Sequence, residues 1–213
     1  MRRSESRWPA ALAVVAAVGA QVLVADRVLP GPRLLLPGVE LVLLVALVAA
    51  DPSRLTAESK DLRLLSLAML AVVAAVNVVA LVSLVDQLVG GAGNGRSLLG
   101  AAAGVWLTNV VVFGLAYWEL DRGGPLARAG ARPGPAHPDL WFPQDGDARQ
   151  AAPPGWEPAF VDYLFVALMA STAFSPTDTM PLTPRAKGLV GLQSVISLLT
   201  VGLVAARAVN ILR

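Results

Sequence analysis

The amino-acid sequence predicts an all-α, polytopic membrane protein: a transmembrane helical bundle with about five spanning helices and one short helix before the last of them. Two observations lead to this prediction. Of the 213 residues, 55% are hydrophobic and only 15% are charged, and the mean hydropathy is +0.63. This composition is too apolar for an ordinary soluble domain. The apolar residues also form uninterrupted stretches as long as the helix that a bilayer core of about 30 Å requires.

Six apolar segments divide the chain. Four of them lack Asp, Glu, Lys and Arg over 18 to 22 residues, and another, 34–50, is interrupted only by Glu40. Segment 163–177 is charge-free for 15 residues. It would be about 22 Å long as a helix, which is short for a full crossing. We therefore expect it either to span the membrane or to re-enter on the same side. The four uninterrupted segments are 8–25, 64–85, 97–118 and 188–206.

Composition divides the chain into three regions. These are a four-helix N-terminal transmembrane region over 1–118, a proline-rich loop over 119–157 and a helix–turn–helix module over 158–213. The loop contains seven prolines with glycines between them, so it cannot be regular secondary structure throughout. Leu140, Trp141 and Phe142 form an apolar triplet in the middle of the loop. The triplet predicts an ordered cap or, equally, a tryptophan at the lipid interface.

Lysines and arginines predict the orientation. With a cytoplasmic N-terminus, 12 of the 17 basic residues lie inside, whether segment 163–177 spans or re-enters. The long loop is then also inside. The chain is rich in Ala, Val, Leu, Gly and Arg and has only two lysines, which is typical of a high-GC bacterial genome. We therefore expect a multi-pass protein of a bacterial plasma membrane, with an uncleaved first helix.

Several classes of chemistry are excluded by composition. Cysteine is absent and His137 is the only histidine, which excludes disulfides, thiol catalysis, iron–sulfur clusters and the usual zinc ligand sets. The sequence contains no nucleophile elbow, no phosphate-binding glycine loop and no carboxylate pair inside a span. We therefore expect no enzymatic activity, no catalytic residue, no metal and no cofactor. The basic residues lie in loops between apolar blocks, so we expect no nucleic-acid partner.

The last helix carries a polar stripe. Gln193, Ser197, Thr200 and Arg207 fall on one helical face, and Asn210 extends its polar end. Such a stripe either lines water or forms hydrogen bonds with a neighbouring helix. Arg207 is also close enough to the C-terminus to anchor the helix at the interface.

Three more polar residues fall at membrane depth. Glu40 interrupts segment 34–50, and Asn77 and Asn109 lie in the middle of their spans. Polar groups at this depth are costly and are candidates for function. Glu40 is suited to proton coupling, or lies at the headgroups if its helix begins near Pro37. The asparagines are more typical of contacts that hold helices together.

The order of features from Phe160 onward, about a quarter of the chain, is distinctive. A short helix over 162–172 ends in Thr172, the sequence AFSPTD follows at 173–178, and Pro181 and Arg185 lead into an apolar helix from Gly188. This order resembles the pore module of two-transmembrane potassium channels, in which a short pore helix, a filter, a proline and a basic residue precede a long inner helix. Together with YWELDRGGP at 117–125 and DLWFPQ at 139–144, the segment is similar to an uncharacterised family of bacterial integral membrane proteins.

The resemblance implies a filter-like turn. Its residues would be Ser171, Thr172, Phe174, Ser175, Pro176, Thr177 and Asp178. A potassium-type filter is not implied, because such a filter depends on glycines that adopt positive φ, and no glycine lies between Gly155 and Gly188. The same residues suit an ordinary hairpin between two helices, with Thr183 as a helix cap before Pro184.

These observations predict an oligomeric, cation-conducting channel without a potassium-type filter. We expect a homo-oligomer, a tetramer if it is a channel, that handles monovalent cations with Asp178 at its mouth and Gln193, Ser197 and Thr200 along its path. One alternative is a non-conducting membrane scaffold or partner subunit, in which the stripe only joins helices. Another is a proton-coupled carrier that uses Glu40, although the sequence shows no internal repeat.

Overall fold

The chain is mostly helical. The computed structural model describes residues 8–28, 60–90, 95–128, 137–150, 152–172 and 178–211. Its helices are α1 (Trp8–Val28), α2 (Lys60–Val89), α3 (Gly95–Leu120), the single turn α4 (Pro125–Arg128), α5 (Phe160–Thr172) and α6 (Pro184–Ile211). Two short strands, β1 (Leu140–Trp141) and β2 (Met180–Pro181), form an antiparallel pair with Leu140 opposite Pro181 and Trp141 opposite Met180.

The predicted helical class is confirmed, and so is the presence of helices that could span a membrane. Three described stretches, Ser66–Gln87, Leu98–Gly123 and Pro184–Ala206, are long and apolar enough to cross a membrane. Helices also form over the predicted segment 8–25 and over 163–172, the described part of segment 163–177, which belongs to the short apolar helix α5. Segment 34–50 lies outside the described residues. The number of spanning helices therefore stays a prediction.

Helix α3 is the centre of the bundle. Its residues from Thr108 to Glu119 are all buried, and it packs against α1, α2, α5 and α6. The other long helices keep large apolar side chains exposed, such as Val82 on α2 and Leu198 on α6. Outer helices with exposed apolar faces around a buried central helix are suited to a bilayer, in which lipid takes the place of water as the solvent.

Contacts at both ends of α2 and α3 show that these helices are antiparallel. Ser66, near the start of α2, donates a hydrogen bond to Glu119 at the end of α3. Near the other end, Leu84 belongs to the same buried cluster as Leu98 and Ala101. We call the end of the bundle that contains Glu119 the capped end.

Helix α5 also runs antiparallel to α3. Gly114 lies against Leu164, so close that a Cβ on Gly114 would sit 3.2 Å from the Leu164 Cα atom. About two turns further from the capped end, the indole N–H of Trp106 donates to the Ser171 carbonyl at 3.4 Å. Helix α5 therefore starts at the capped end and points into the bundle.

Helix α6 starts at the same end. The Arg185 guanidinium, in its first turn, donates to the carbonyl of Leu120 at 3.0 Å. Deeper in the bundle, Trp106 donates to the Ser197 hydroxyl at 2.9 Å. Helices α5 and α6 are therefore parallel to each other, although they are consecutive along the chain.

The cap covers this end of the bundle. It consists of the described residues between α3 and α5 together with β2, and it includes three 3₁₀ turns (Asp121–Gly123, Pro143–Asp145 and Asp147–Gln150). Leu140 and Phe142 are buried in the same core as the helices. The Phe142 ring lies edge-on to Tyr163 and Trp156, at centroid distances of 5.4 and 5.8 Å. Trp141 between them is partly exposed.

Candidate functional site

The interior of the bundle contains a hydrogen-bond network centred on Gln193. This side chain is 0% exposed. Its Nε2 donates to the Ala167 carbonyl at 2.7 Å and to the Ser171 hydroxyl at 2.8 Å, and its Oε1 accepts from the Tyr117 hydroxyl. One amide therefore joins α3, α5 and α6, and every polar atom it carries is used within the chain.

Ser197 continues the network one turn further along α6. Its hydroxyl donates to the Ser171 carbonyl at 2.6 Å and accepts from the Trp106 indole. Ser171 is the last but one residue of α5, and its carbonyl is one of those that a helix end leaves without an intrahelical partner. Ser197 and Trp106 supply the missing donors, so they fix the end of α5 at a defined depth.

The polar stripe of α6 faces protein in this chain. Gln193 and Ser197 face α3 and α5, and the buried Thr200 hydroxyl donates to the Ile196 carbonyl of its own helix at 2.8 Å. The side chains of Arg207 and Asn210 lie outside the described part. Of the two interpretations of the stripe, the contacts of these three residues correspond to hydrogen bonding between and within helices.

The filter-like turn is described only at its edges. Ser171 is buried in the network, and the Thr172 hydroxyl donates to the Met169 carbonyl at 3.0 Å, a local bond at the end of the helix. Asp178 is exposed. Phe174, Ser175, Pro176 and Thr177 lie outside the described residues.

Asn77 and Asn109 are buried in the middle of α2 and α3. Within the described ranges, the Asn77 Oδ1 atom and both polar atoms of the Asn109 side chain have no hydrogen-bond partner. The expected role of holding helices together is therefore not visible in their contacts. Glu40, the third predicted intramembrane group, lies outside the residues that the structure describes.

The cap is organised by Asp121, which is 1% exposed. Its Oδ1 accepts from the backbone N–H groups of Asp139 and Leu140 at 2.7 and 3.1 Å, and its Oδ2 accepts from the Tyr163 hydroxyl at 2.7 Å. The Arg122 guanidinium lies 3.3 Å from the same Oδ2. A carboxylate with four donors is well compensated for its burial, and it joins the cap to α5.

Arg128 binds the backbone around the end of α3. Its guanidinium donates to the carbonyls of Trp118 and Asp121 at 2.8 and 2.9 Å, and it lies 4.9 Å from the centre of the Tyr163 ring. A cation over an aromatic face is attracted by the ring quadrupole. Arg128 therefore joins the end of α3 to the start of α5.

Asp139 connects the cap to α6. Its carboxylate accepts from the Thr183 hydroxyl and from the Arg185 guanidinium, and its carbonyl accepts from the Leu182 N–H at 2.8 Å. The Thr183 hydroxyl in turn accepts from the Ala186 N–H at 3.2 Å, so Thr183 caps α6. The start of α6 is thus fixed beside β1.

The sharp bend after α3 requires glycine. Gly124 has φ of 92°, and a Cβ there would lie 2.8 Å from the Glu119 carbonyl oxygen. Arg122 also has a positive φ, 54°, and its guanidinium is held by Asp121 and Asp145. Directly after Asp121, this bend turns the chain away from the direction of α3.

The Asp162 side chain lies, partly buried, at the start of α5. It lies in the first turn of α5, where its Oδ2 accepts from the Ala159 N–H at 2.8 Å. Burial raises the pKa of the Asp162 carboxyl above its ordinary value, although that hydrogen bond opposes the shift.

Sequence reasoning found part of these networks. Gln193 and Ser197 were predicted from helical spacing, and Asp121 and Asp139 fall within the two distinctive stretches 117–125 and 139–144. The sequence did not indicate Trp106, Tyr117 or Tyr163 as polar partners, because aromatic residues in apolar segments are usually core. An indole or phenol opposite a predicted polar stripe is the signal that could have found them.

The two networks are structural in their chemistry. Every contact named in them joins one part of the chain to another, and within the described ranges no three His, Asp or Glu side chains form a group that could hold a metal ion. No family model matches the chain, and neither a curated protein nor a solved structure matches it. The fold and composition therefore define its class, a helical protein in which three of the described helices are long and apolar enough to cross a membrane.

Proposed function

We propose that the chain is a subunit of an oligomeric, cation-conducting membrane channel whose C-terminal unit re-enters the membrane. The observation that supports this best is the parallel arrangement of α5 and α6. Two consecutive helices that each cross a bilayer run antiparallel. Here both helices begin at the capped end, as the contacts of Tyr163 with Asp121 and of Arg185 with Leu120 require.

The length of α5 fits re-entry. Thirteen residues form a helix of about 20 Å, which is shorter than the apolar core of about 30 Å. Its last turn lies beside Trp106 and Ser197, near the middle of α3 and α6. The chain then returns to β2, which is paired with β1 in the cap.

Re-entry favours an oligomer. Backbone that is not helical is tolerated at membrane depth only where protein covers it or where it lines water. In the single chain, Val161 and Phe165 on the outer face of α5 are more than half exposed. Several copies around an axis, with a tetramer as the expected number, would cover this face and enclose a path that no single chain can enclose.

Cation preference and location follow from charge. The exposed Asp178 and the hydroxyl of Thr172 lie at the two ends of the returning segment, and oxygen ligands without a potassium-type filter suit monovalent cations of low selectivity. Among the residues described, the capped end has a cluster of basic side chains: Arg122, Arg128, Arg149, Arg185 and Lys187. By the positive-inside rule, this cluster favours a cytoplasmic capped end, and the expected membrane is a bacterial plasma membrane. The cytoplasmic N-terminus stays a prediction.

A non-conducting scaffold or partner subunit is the second candidate. It is favoured by one specific observation: Gln193 and Ser197 use their polar groups in contacts within the chain. The channel proposal therefore does not use these two residues as lining groups. The resemblance to channel pore modules stays a prediction, as does the carrier alternative that depends on Glu40.

The first experiment tests re-entry. Because the chain has no cysteine, single substitutions Glu157→Cys and Asp178→Cys can be labelled without background. Both positions are exposed, one on each side of α5 along the chain. Labelling with a membrane-impermeant maleimide in right-side-out and inverted vesicles should reach both cysteines from the same side. Labelling from opposite sides would mean that α5 spans, and the proposal would be wrong.

The second experiment tests conduction. The mass of the purified protein, with detergent subtracted, should correspond to several chains, and proteoliposomes should pass Na⁺ or K⁺. Asp178→Asn should lower this flux several-fold. Asp86→Asn is the matched control, because it removes an exposed carboxylate at the end of α2 that lies away from the capped end. It should leave the flux unchanged. A monomer would exclude the channel, and an oligomer without flux would identify the non-conducting scaffold instead.

A further inference from the structure

Three polar side chains in the apolar interior are left out of both networks. Thr108 and Asn109 on α3 are each 1% exposed, and Asn77 on α2 is 5% exposed. Among the described residues, the Asn77 Oδ1, the Thr108 Oγ1 and both polar atoms of Asn109 have no hydrogen-bond partner. Buried polar atoms in native proteins almost always have hydrogen-bond partners. A buried polar atom without a partner is most costly where bulk water cannot reach it.

These side chains lie at one depth. Ser66 and Glu119 are hydrogen bonded at the capped end, and the two helices run antiparallel from there. Eleven residues further along each helix are Asn77 and Thr108, so these two residues lie at the same depth, about 16 Å from that bond. This depth is close to the middle of a bilayer core.

They also lie on facing surfaces. Ala101 and Ala102 of α3 belong to one buried cluster with Ala80 and Leu84 of α2. Thr108 and Asn109 are each seven residues, or two turns, from these alanines, and Asn77 is seven residues from Leu84. Residues two helical turns apart lie on the same face of a helix. The three polar residues therefore lie on the faces by which α2 and α3 contact each other.

We infer that Asn77, Thr108 and Asn109 form a binding site for buried water between α2 and α3, at the middle of the membrane. The atoms available are a mixture of acceptors and donors: two amide oxygens, one hydroxyl and one amide NH₂ group. Water matches this mixture, because it donates to the amide oxygens and accepts from the hydroxyl or the NH₂ group.

A cation matches the site less well. It would be coordinated by the oxygens, but the Asn109 NH₂ group is a donor and would point its positive end at the ion. No described acidic side chain is adjacent to these three residues on α2 or α3 to balance an ion at this depth. A neutral ligand that both donates and accepts is therefore preferred.

The test uses the small number of asparagines. The chain contains only Asn77, Asn94, Asn109 and Asn210, so selective ¹⁵N-asparagine labelling of the full chain in deuterated detergent gives four side-chain amide signals. Asn109→Leu and Asn77→Leu assign the two buried signals. We expect rotating-frame cross-peaks between bulk-frequency water and the Asn109 amide protons, with the sign of direct contact rather than of proton exchange.

Matched threonine variants link the signal to the site. Thr108→Val keeps the side-chain shape and removes the hydroxyl, and it should weaken the water cross-peak at Asn109 at least several-fold. Thr200→Val is the control, since that hydroxyl bonds to its own helix. It should leave the cross-peak unchanged. Equal cross-peaks in both variants would mean that Thr108 is not part of the site.

Three results would overturn the inference. Cross-peaks from the Asn109 amide protons to neighbouring protein protons without a water cross-peak would show a dry site. A shift of the Asn109 amide when NaCl replaces choline chloride would identify a cation. A shift caused by Glu40→Gln, again without a water cross-peak, would identify a protein group as the missing partner.

Discussion

Asp121→Asn tests whether the cap depends on one buried carboxylate. The asparagine keeps the shape of the side chain, and its oxygen can still accept from the backbone N–H groups of Asp139 and Leu140, which both bond to Oδ1. The other oxygen becomes an NH₂ group. It then faces two donors, the Tyr163 hydroxyl at 2.7 Å and the Arg122 Nε at 3.3 Å.

The expected magnitude follows from these contacts. A hydrogen bond to a charged group contributes about 1.5 to 3 kcal/mol net, and the Tyr163 hydroxyl can recover part of this by turning to accept. The contact with Arg122 is lost, but this side chain is one-fifth exposed, so solvent screens its contribution. We expect a loss of about 2 kcal/mol in the free energy that keeps the cap closed. This corresponds to about a thirtyfold rise in the open population.

Limited proteolysis measures this population. Arg149 is exposed but lies in a 3₁₀ turn of the cap, so trypsin must wait for the cap to open before it cleaves there. When opening and closing are fast, the cleavage rate follows the open population. In detergent, cleavage after Arg149 should be about thirty times faster in Asp121→Asn than in the wild type.

Asp145→Asn is the matched control within the cap. Asp145 accepts from Arg122 and from the Phe142 N–H, but its side chain is partly exposed, and such pairs contribute about 1 kcal/mol or less. Its cleavage rate should rise less than about fivefold. If Asp121→Asn is cleaved at the wild-type rate, or no faster than Asp145→Asn, the assignment of Asp121 as the organiser of the cap is refuted.

Three further changes test the helix contacts and the titration. Gly114→Ala should lower thermal stability by about 1 kcal/mol, because the new methyl group meets the Leu164 backbone at 3.2 Å, whereas Gly100→Ala meets nothing within 4 Å and should gain from helix propensity; equal melting temperatures would contradict this. Gln193→Leu should cost about 2 kcal/mol in detergent unfolding, at about 0.6 kcal/mol for each of three interhelical bonds, and a neutral effect would contradict the network. Since folding raises the pKa of Asp162, wild-type stability should fall as pH rises through that pKa, and Asp162→Asn should abolish this dependence; a parallel pH profile would assign the dependence to another group.

The sequence predicted the helices well, because runs of apolar residues near 20 in length have few other stable forms in a bilayer. It could not predict the direction of α5. Fifteen charge-free residues fit a short span as well as a re-entrant helix, and the direction of the helix is given only by the contacts of Tyr163 and Ser171. In the same way, the spacing of Gln193 and Ser197 indicated one polar face, but not that Tyr117 and Trp106 would occupy it.

The cap was the least predictable part. Its acidic residues lie in a loop next to a span, where the same composition is typical of charges exposed to water. Gly124 permits the chain after Asp121 to bend, and residues 139–140 bond to the Asp121 carboxylate, so its burial is a property of the backbone path rather than of the residue type. The triplet around Trp141 did indicate packing, and two of its three side chains are buried.

The central position of α3 has a consequence for synthesis. Trp106 and Tyr117 leave the ribosome long before their partners Ser197 and Gln193, since 91 and 76 residues separate the two pairs along the chain. At a translation rate of about 5 to 20 residues per second, the Trp106 and Tyr117 side chains of α3 lack these hydrogen-bond partners for several seconds or more. Membrane insertion of the N-terminal helices and completion of their packing are therefore separate events in time. Helix α6 supplies the missing partners. A chain released before α6 is made would leave α3 accessible to the membrane's quality-control proteases.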